Sequence, residues 1–207
     1  MKDLYVVGTG SQARYVIEIC HTHNIKGLVD ILNKDNVGKT INGVKVICHL
    51  DDITTHVQTG SDVVIAIGDS RKKEDIACIL EKAGYQFATI ISQSAYISKF
   101  VNIGKGSIIC QNAIVQPNTN IGNHVIIHAG CVIEHDNVIG DFANIAPAAA
   151  TTGNVQIGKG TYVYTGAVIV PKVKIGEYAV IGAGAVVLND VPDNAVVVGN
   201  PAKPIKK

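Results

Sequence analysis

The sequence predicts two structural units, an α/β unit built on a small parallel sheet in residues 1–92 and a parallel β-helix in residues 93–207. Two observations predict this division. Strand-like and helix-like segments alternate along residues 1–92, which is typical of a parallel sheet covered by helices. From Ile97 onward, aliphatic residues recur every six positions, a period that fits neither an α-helix nor an isolated strand.

The elements of the first unit follow from its hydrophobic patterns. We expect strands at Leu4–Gly8, in a segment ending at Asp30, around VKVI and at Asp62–Gly68, with helices after the glycine-containing turn and over Arg71–Gly84. Gly84 is the expected stop signal of the second helix. The segment YQFATII then leads into the six-residue repeat.

A glycine-rich loop joins the first predicted strand to the first predicted helix. It reads Gly-Thr-Gly-Ser-Gln-Ala from Gly8, and Asp30 lies twenty residues beyond Gly10. This arrangement resembles the dinucleotide fingerprint of Rossmann-like folds, in which helix N-terminal N–H groups bind phosphate and an acid binds a ribose hydroxyl. Because residues 1–92 make only half of a doubly wound domain, one nucleotide diphosphate fits better than a complete NAD. Glycines that serve only a tight turn remain an alternative.

The six-residue repeat predicts the second unit. Every sixth residue from Ile97 to Val187 is Ile or Val, except Thr151. Three such hexads close one triangular coil, with one aliphatic side chain pointing inward on each flat face, so the repeat predicts about five coils. Small or β-branched residues dominate four positions after the aliphatic one, where a larger side chain would crowd the corner: Ser107, Ala113, Thr119, Ala143, Ala149, Ala167, Ala179, Ala185.

Composition excludes several function classes. The 207 residues include 18 Lys and Arg against 17 Asp and Glu, for a formal net charge of +1, and no basic stripe with interleaved aromatic residues. We therefore expect no nucleic-acid partner. No apolar stretch has membrane-spanning length and no charged leader precedes the first strand, so we expect no membrane association and no export. Five scattered cysteines without a CxxC pair indicate buried thiols in a reducing cytoplasm.

The repeat resembles that of the hexapeptide-repeat acyltransferases, which implies a left-handed β-helix. The glycine loop, the VIEHD motif ending at Asp136 and the C-terminal VVVGNPAKPI extend the resemblance over the whole chain. The family they resemble is the bacterial nucleotide-sugar N-acetyltransferases, which acetylate UDP-, dTDP- or GDP-linked 4-amino-4,6-dideoxy sugars in glycan biosynthesis, and the related NeuD-like sialic acid O-acetyltransferases. The resemblance implies acetyl-CoA as co-substrate and a homotrimer with active sites between subunits.

The resemblance also implies roles for individual residues. His135 matches the family's catalytic base, and Asp136 is the acid beside it. The nucleotide would be bound by Gly10, Ser11, Gln12, Asp30, Gly68 and Asp69. Acetyl-CoA would be bound by Asn144, Gly153, Thr165, Gly182, Ala183 and Lys203.

The chain departs from the family pattern at several positions. Asn144 stands where many members have a second histidine, and we expect its amide to orient or polarise the acetyl group. Ala148 replaces a common glycine. Ile31 replaces a second acid beside Asp30, and the loop Ser11–Arg14 differs from the usual sequence, so the nucleotide stays open between UDP, dTDP and GDP.

Two alternatives to the N-acetyltransferase remain at this point, and the histidines bear on the second. His124 and His128 are interpreted as surface residues, and with His135 they do not match the ligand spacing of the hexapeptide-fold carbonic anhydrases, so we expect no metal. The same fold could transfer acetyl to a hydroxyl of a sugar or of serine. A non-catalytic or metal-dependent β-helix protein is the second alternative.

Overall fold

The computed structural model describes residues 1–205 of the chain. The chain divides into two compact units, Met1–Ile91 and Ser92–Lys207. The boundary predicted from the sequence lies one residue further along the chain. Within residues 1–205, no helix has the length and apolarity that crossing a lipid bilayer requires.

The first unit is a six-stranded sheet in the order β3-β4-β2-β1-β5-β6. All its neighbours pair in parallel except β3 and β4, which form an antiparallel hairpin. The strands are β1 Lys2–Val7, β2 His23–Asp30, β3 Thr40–Ile41, β4 Val44–His49, β5 Asp62–Ile65 and β6 Gln86–Phe87, and the helices are α1 Ser11–Ile19, α2 Ile53–His56 and α3 Ser70–Lys82. Short 3-10 helices span Lys34–Asn36 and Leu50–Asp52, and β7 Ile90–Ile91 ends the unit.

The central strands of this sheet are buried because their sequences are continuously aliphatic. Leu4, Val6 and Val7 of β1 are fully buried, as are Val63 and Val64 of β5. Each such side chain contributes roughly 1.5–3 kcal/mol of hydrophobic stabilisation. The strand predicted to reach Gly68 ends at Ile65, so Ala66 and Ile67 belong to the loop that leads to Gly68 and Asp69.

The second unit is a parallel β-helix whose coils repeat every 18 residues, as the pairing of Ile109 with Ile127 and of Ile127 with Ile145 shows. Its inward positions follow the predicted hexads, and Thr151 occupies the same buried register. The strands are β8 Tyr96–Ile97, β9 Asn102–Ile103, β10 Ile108–Ile109, β11 Ile114–Val115, β12 Asn120–Ile121, β13 Ile126–Ile127, β14 Val132–Ile133, β15 Val138–Ile139, β16 Asn144–Ile145, β17 Ala150–Thr151, β18 Gln156–Ile157, β19 Tyr162–Val163, β20 Val168–Ile169, β21 Lys174–Ile175, β22 Val180–Ile181, β23 Val186–Val187, β24 Val196–Val198 and β25 Lys203–Pro204.

The three faces of the β-helix present different residues outward. On the apolar face, formed by β8, β11, β14, β17, β20 and β23, the outward positions are Tyr96, Ile114, Val132, Ala150, Val168 and Val186, all at least partly exposed. The polar face, formed by β9, β12, β15, β18 and β21, presents Asn102, Asn120, Val138, Gln156 and Lys174. On the third face, which includes β10, β13 and β16, the outward residues Ile108, Ile126 and Asn144 are buried.

Two corners border the apolar face. The His135 corner, between the apolar and polar faces, contains residues 116–119, 134–137, 152–155 and 170–173 of successive coils. The Thr165 corner, between the third and apolar faces, contains residues 128–131, 146–149, 164–167 and 182–185. The two corners therefore lie at opposite edges of the apolar face.

Candidate active site

The His135 corner brings a histidine, an aspartate and an asparagine into one hydrogen-bonded row. His135 Nδ1 lies 2.7 Å from Asp136 Oδ2. Asn118, in the same place on the preceding coil, donates from Nδ2 to Asp136 Oδ1 at 3.1 Å. Asn118 and Asp136 both have positive φ, 61° and 58°, a conformation that Asn and Asp tolerate better than most residues. The predicted neighbours His135 and Asp136 thus form an exposed pair that a third residue orients.

This row assigns the tautomer of His135. A carboxylate can only accept, so Nδ1 carries the hydrogen in the bond to Asp136, and the neutral ring presents Nε2 as an acceptor. The hydrogen bonds from His135 and Asn118 lower the pKa of Asp136. Asp136 is therefore ionised near neutral pH, and the ring is half exposed, with 53% of its side chain accessible. Such a pair can accept a proton at Nε2.

Gly153 lies directly against the reactive edge of the histidine ring. A Cβ placed on Gly153 would be 2.6 Å from Cε1 and 2.7 Å from Nε2 of His135. No side chain can occupy that position without displacing the ring. Gly153, which is expected to bind acetyl-CoA, therefore packs against His135, and its backbone forms one wall beside Nε2.

Four other predicted acetyl-CoA positions lie away from His135. Thr165, Gly182 and Ala183 belong to the Thr165 corner, across the apolar face. A Cβ on Gly182 would approach Val198 Cγ1 to 2.7 Å, and Val198 pairs with Lys203 in the antiparallel strands β24 and β25. The C-terminal segment therefore brings Lys203 to this corner. Within one chain, the structure does not bring these residues together with His135.

Three sequence predictions about exposure are wrong. Asn144, expected outside, is fully buried on the third face between Ile126 and Tyr162, and its amide donates to the Phe142 carbonyl at 3.4 Å. His124 and His128, expected on the surface, are 3% and 5% exposed, and His124 stacks on Phe142 with ring centroids 5.1 Å apart.

The physical reason is that the hexad register says which residues point outward but not whether that face is covered. The predicted role of Asn144 in orienting an acetyl group depends on an exposed position, which this residue does not have. Across residues 1–205, no group of three or more His, Cys, Asp or Glu side chains could hold a metal ion.

The predicted nucleotide positions, except Asp30, line one pocket in the first unit. Gly10, Ser11 and Gln12 line a pocket of about 240 Å³ together with Gly68 and Asp69. The remaining lining residues are Thr9, Ile31, Leu32, Ala66, Ile67 and Lys72. Lys72 is a pocket residue that the sequence interpretation missed. It lies three residues after Asp69, in the first turn of α3, and this spacing could have indicated its place at the pocket.

The two helices that begin at this pocket differ in how their N-termini are capped. The N-cap of α3 is Asp69, whose side chain accepts a hydrogen bond from the Lys72 N–H at 3.0 Å. The N-cap of α1 is Gly10, which makes no side-chain cap, and a Cβ there would meet nothing within 4 Å. Gly10 thus leaves the N-terminus of α1 without a side-chain cap at the pocket, and helix N-termini are common sites for phosphate binding.

Gly8 makes the close approach of the loop to the neighbouring strand possible. Its φ is 122°, in the region that favours glycine, and a Cβ would lie 2.7 Å from the Ala66 carbonyl oxygen. The loop and the end of β5 can therefore form the two sides of one pocket.

Asp30 is occupied by protein donors. Its Oδ1 accepts from the N–H groups of Leu32 and Asn33, both at 2.7 Å. Its Oδ2 accepts from Thr9 Oγ1 at 2.5 Å and Asn36 Nδ2 at 3.0 Å. Burial alone would raise the pKa of Asp30, but these four hydrogen bonds outweigh burial and lower it. The predicted contact with a ribose hydroxyl would require one donor to move aside.

Comparisons with known proteins agree with this architecture. Residues 3–80 match the PglD N-terminal domain, and residues 154–189 match the bacterial transferase hexapeptide family, in a model of six repeats. No curated protein matches the chain. The fold defines the class: an N-terminal Rossmann-like unit with a parallel sheet followed by the left-handed parallel β-helix of hexapeptide-repeat transferases, which confirms the predicted fold class.

Solved structures of the same architecture narrow the class. One is a mutant of perosamine N-acetyltransferase from Caulobacter crescentus in complex with CoA and GDP-perosamine, with 27% identity, a TM-score of 0.92, and coverage of 100% of this chain and 98% of that one. Another is the acetyltransferase domain of PglB from Neisseria gonorrhoeae in complex with acetyl coenzyme A, with 29% identity, a TM-score of 0.90 and 99% of both chains covered.

WeeI from Acinetobacter baumannii is 31% identical with a TM-score of 0.88, over 99% of this chain and all of its own. The chain belongs to the PglD/NeuD-like family of nucleotide-sugar N-acetyltransferases. It is therefore an acetyltransferase with acetyl-CoA as co-substrate.

Proposed function

We propose that this chain transfers the acetyl group of acetyl-CoA to the 4-amino group of a nucleotide-linked 4-amino-4,6-dideoxy sugar, with His135 as general base. The observation that carries the proposal is the hydrogen bond from His135 Nδ1 to Asp136, because it leaves Nε2 of an exposed ring for proton transfer. The presence of CoA and GDP-perosamine in the Caulobacter crescentus enzyme supports this class of donor and acceptor.

The reaction proceeds by direct attack. The neutral sugar amine attacks the thioester carbonyl carbon and forms the new C–N bond, while the carbonyl electron pair moves to oxygen. His135 Nε2 takes a proton from the attacking nitrogen. Collapse of the oxyanion breaks the C–S bond, and the imidazolium protonates the departing thiolate, so that amide and CoA are released and His135 is neutral again. A thioester is already activated, so no acyl-enzyme is needed.

The side chains around His135 supply the electrostatics of this reaction. Asp136 stabilises the imidazolium as it forms, and Asn118 orients Asp136. We assign the backbone N–H of Gly153 as a donor to the oxyanion, because Gly153 lies against the Cε1–Nε2 edge of the ring. The Asp136 carboxylate and the Gly153 N–H would both be in position before the substrates bind.

The first unit would bind the nucleotide. The first-turn N–H groups of α1 and the ammonium group of Lys72 fit the negative charge of a diphosphate. Ile31 and Leu32 give the pocket an apolar wall, and Leu32 is 75% exposed, which suits contact with a nucleobase. Gly68 and Asp69 form the opposite side.

The active form would be a homotrimer with active sites between subunits. The apolar face exposes a continuous row of Tyr, Ile, Val and Ala, and such a patch is a typical subunit interface. Burying it around a three-fold axis would bring the His135 corner of one subunit to the Thr165 corner of the next. Acetyl-CoA bound along that cleft would contact Gly153 on one side, and Thr165, Gly182 and Ala183 on the other. Lys203 would lie near its adenosine end.

Substrate assays test the proposal. Purified protein is incubated with acetyl-CoA and GDP-, dTDP- or UDP-linked 4-amino-4,6-dideoxy sugars, with sialic acid and serine as hydroxyl acceptors, and CoA release and product mass are measured. We expect CoA release with an amino sugar and a product heavier by one acetyl group. Turnover of only a hydroxyl acceptor would contradict the proposal. Light scattering should give the mass of three 21.8 kDa chains; a monomer with full activity would contradict the site between subunits.

A further inference from the structure

One buried residue breaks the corner pattern of the β-helix beside the proposed base. The His135 corner has four residues in each coil. The fourth of them is Thr119, Asn137, Val155 and Val173 in successive coils. Asn137 is a fully buried amide immediately after Asp136. A local departure from a structural rule at such a place points to a role in function.

The other buried polar residues at this position share a simpler pattern. Ser107, Thr119 and Thr161 each donate to the carbonyl fifteen residues later, on the next coil, at 2.9, 2.9 and 2.6 Å. Asn137 makes the same contact, from Nδ2 to the Thr152 carbonyl at 3.0 Å, and it accepts from the Val155 N–H at 2.6 Å. These contacts join neighbouring coils and would serve stability in any coil.

Asn137 makes further contacts that a hydroxyl in its place would not reach together. Its Nδ2 lies 2.6 Å from the Glu134 carbonyl, at the start of its own corner, and 2.9 Å from Thr151 Oγ1. The Glu134 carbonyl also accepts from Thr119 Oγ1, which itself accepts from the Asn137 N–H at 3.3 Å. The side-chain amide of Asn137 thus links the last residue of the corner to the carbonyl of the first, Glu134. His135 and Asp136 lie between these two residues.

We infer that Asn137 is a positioning residue for the His135–Asp136 pair: its amide fixes the corner that carries the pair and ties it to the next coil, where Gly153 lies. The inference rests on the proposed function of His135. Asn137 is buried and touches neither substrate nor reacting atom, so it acts through the backbone of residues 134–136. Small displacements of a reacting group lower turnover steeply, which makes such a closure useful at this corner and unnecessary at others.

The variant Asn137→Thr tests the inference. Threonine already stands at the equivalent positions 119 and 161, so it can keep the bond to the next coil while losing the bond to Glu134. We expect kcat to fall about tenfold with the KM values for acetyl-CoA and sugar nucleotide changed less than about twofold. In a His135→Ala background, Asn137→Thr should lower the residual rate no further.

Thr161→Val is the matched control, because it removes a buried hydroxyl and its bond to the next coil at a different corner. Its thermal midpoint should fall while kcat stays at the wild-type value. An unchanged kcat in Asn137→Thr, or an equal loss of kcat in Thr161→Val, overturns the inference. An unchanged rate in His135→Ala instead overturns the proposed function.

A second variant keeps the inference testable if Asn137→Thr does not fold by circular dichroism. Thr119→Val removes the other donor to the Glu134 carbonyl and leaves Asn137 in place. We expect a smaller loss of kcat with unchanged KM. A wild-type kcat in a folded Thr119→Val protein would overturn the inference.

Discussion

The loop around Asp30 and the His135 corner each contain an aspartate that accepts several hydrogen bonds, but the donors differ. Asp30 is buried and accepts from two backbone N–H groups, a hydroxyl and an amide. Asp136 is exposed and accepts from an amide and from the ring of His135. The pKa of both carboxyls is lowered, in Asp30 despite burial. The donors, and not the shifted pKa, therefore indicate whether a carboxylate holds a loop or takes part in proton transfer.

Among the variants that test this comparison, replacement of His135 should have the largest effect on turnover. His135→Ala should lower turnover on the order of 10²–10⁴-fold, because it removes the proton acceptor while leaving the buried register intact. The measurement is CoA release at saturating substrates. His56→Ala, at an exposed histidine of α2, is the matched control and should retain wild-type turnover. A rate in His135→Ala equal to the wild type would remove the ring from the mechanism.

A methyl group beside the ring should have the next largest effect. Gly153→Ala places a carbon 2.6 Å from Cε1 and 2.7 Å from Nε2 of His135, too close for both to stay in place, and the displaced base should lower kcat about 10²-fold. Gly158→Ala creates a comparable clash with the Gly176 backbone at another corner. It should lower the thermal midpoint and keep kcat. If both variants lose the same fraction of kcat, the space beside the ring has no special importance.

Weakening the orienting carboxylate should cost less than removing the base. Asp136→Asn should lower kcat about tenfold, because the neutral amide stabilises the imidazolium poorly. Asn118→Ala, which removes only the donor behind Asp136, should lower kcat by a smaller factor. Thermal unfolding should be close to wild type in Asp136→Asn and at a somewhat lower temperature in Asn118→Ala, because alanine tolerates the positive φ of residue 118 less well than asparagine. A wild-type kcat in Asp136→Asn would show that the Asp136 carboxylate has no role in the reaction.

Asp30 should affect stability and leave chemistry largely unchanged. Asp30→Asn should lower the free energy of unfolding by roughly 1–3 kcal/mol at pH 7 through lost hydrogen bonds. The folded state lowers the pKa of Asp30 below its ordinary value of 3.8, so its stabilisation is complete above that value and declines as the pH falls below it.

The difference between wild type and Asp30→Asn should therefore be full at pH 7 and smaller at pH 3, measured by urea unfolding at both values. A different outcome would revise the comparison. A large rise in the KM for the sugar nucleotide, without loss of stability, would show that Asp30 contacts the ribose.

The β-helix could be predicted closely from the sequence because a period of six is a global constraint. Once Ile97 is placed inward, every later inward residue up to Val187 is fixed, including the polar Thr151. The same constraint places His135 outward. It says nothing about what covers a face, which is why Asn144 and His128 were placed wrongly.

Contacts between coils were the part of the site that the sequence interpretation missed. Three hexads per coil put residues 18 apart in the same corner place, so Asn118 and Asp136 could have been paired by counting. The corner closure by Asn137 could not, because it depends on the reach of one amide inside a buried turn. In the first unit, the strand expected around VKVI is β4, whereas β3 and α2 have too few residues to give a clear period.

The separation of the His135 and Thr165 corners by the apolar face has a genetic consequence. If each catalytic centre is formed by one corner from each of two chains, a chain with an inactivated His135 corner still contributes an intact Thr165 corner to its neighbour. Two different inactive alleles, one altered at each corner, should therefore complement each other when co-expressed, and two alleles altered at the same corner should not. Dilution should reduce specific activity as well, since a lone chain has no neighbour to complete it.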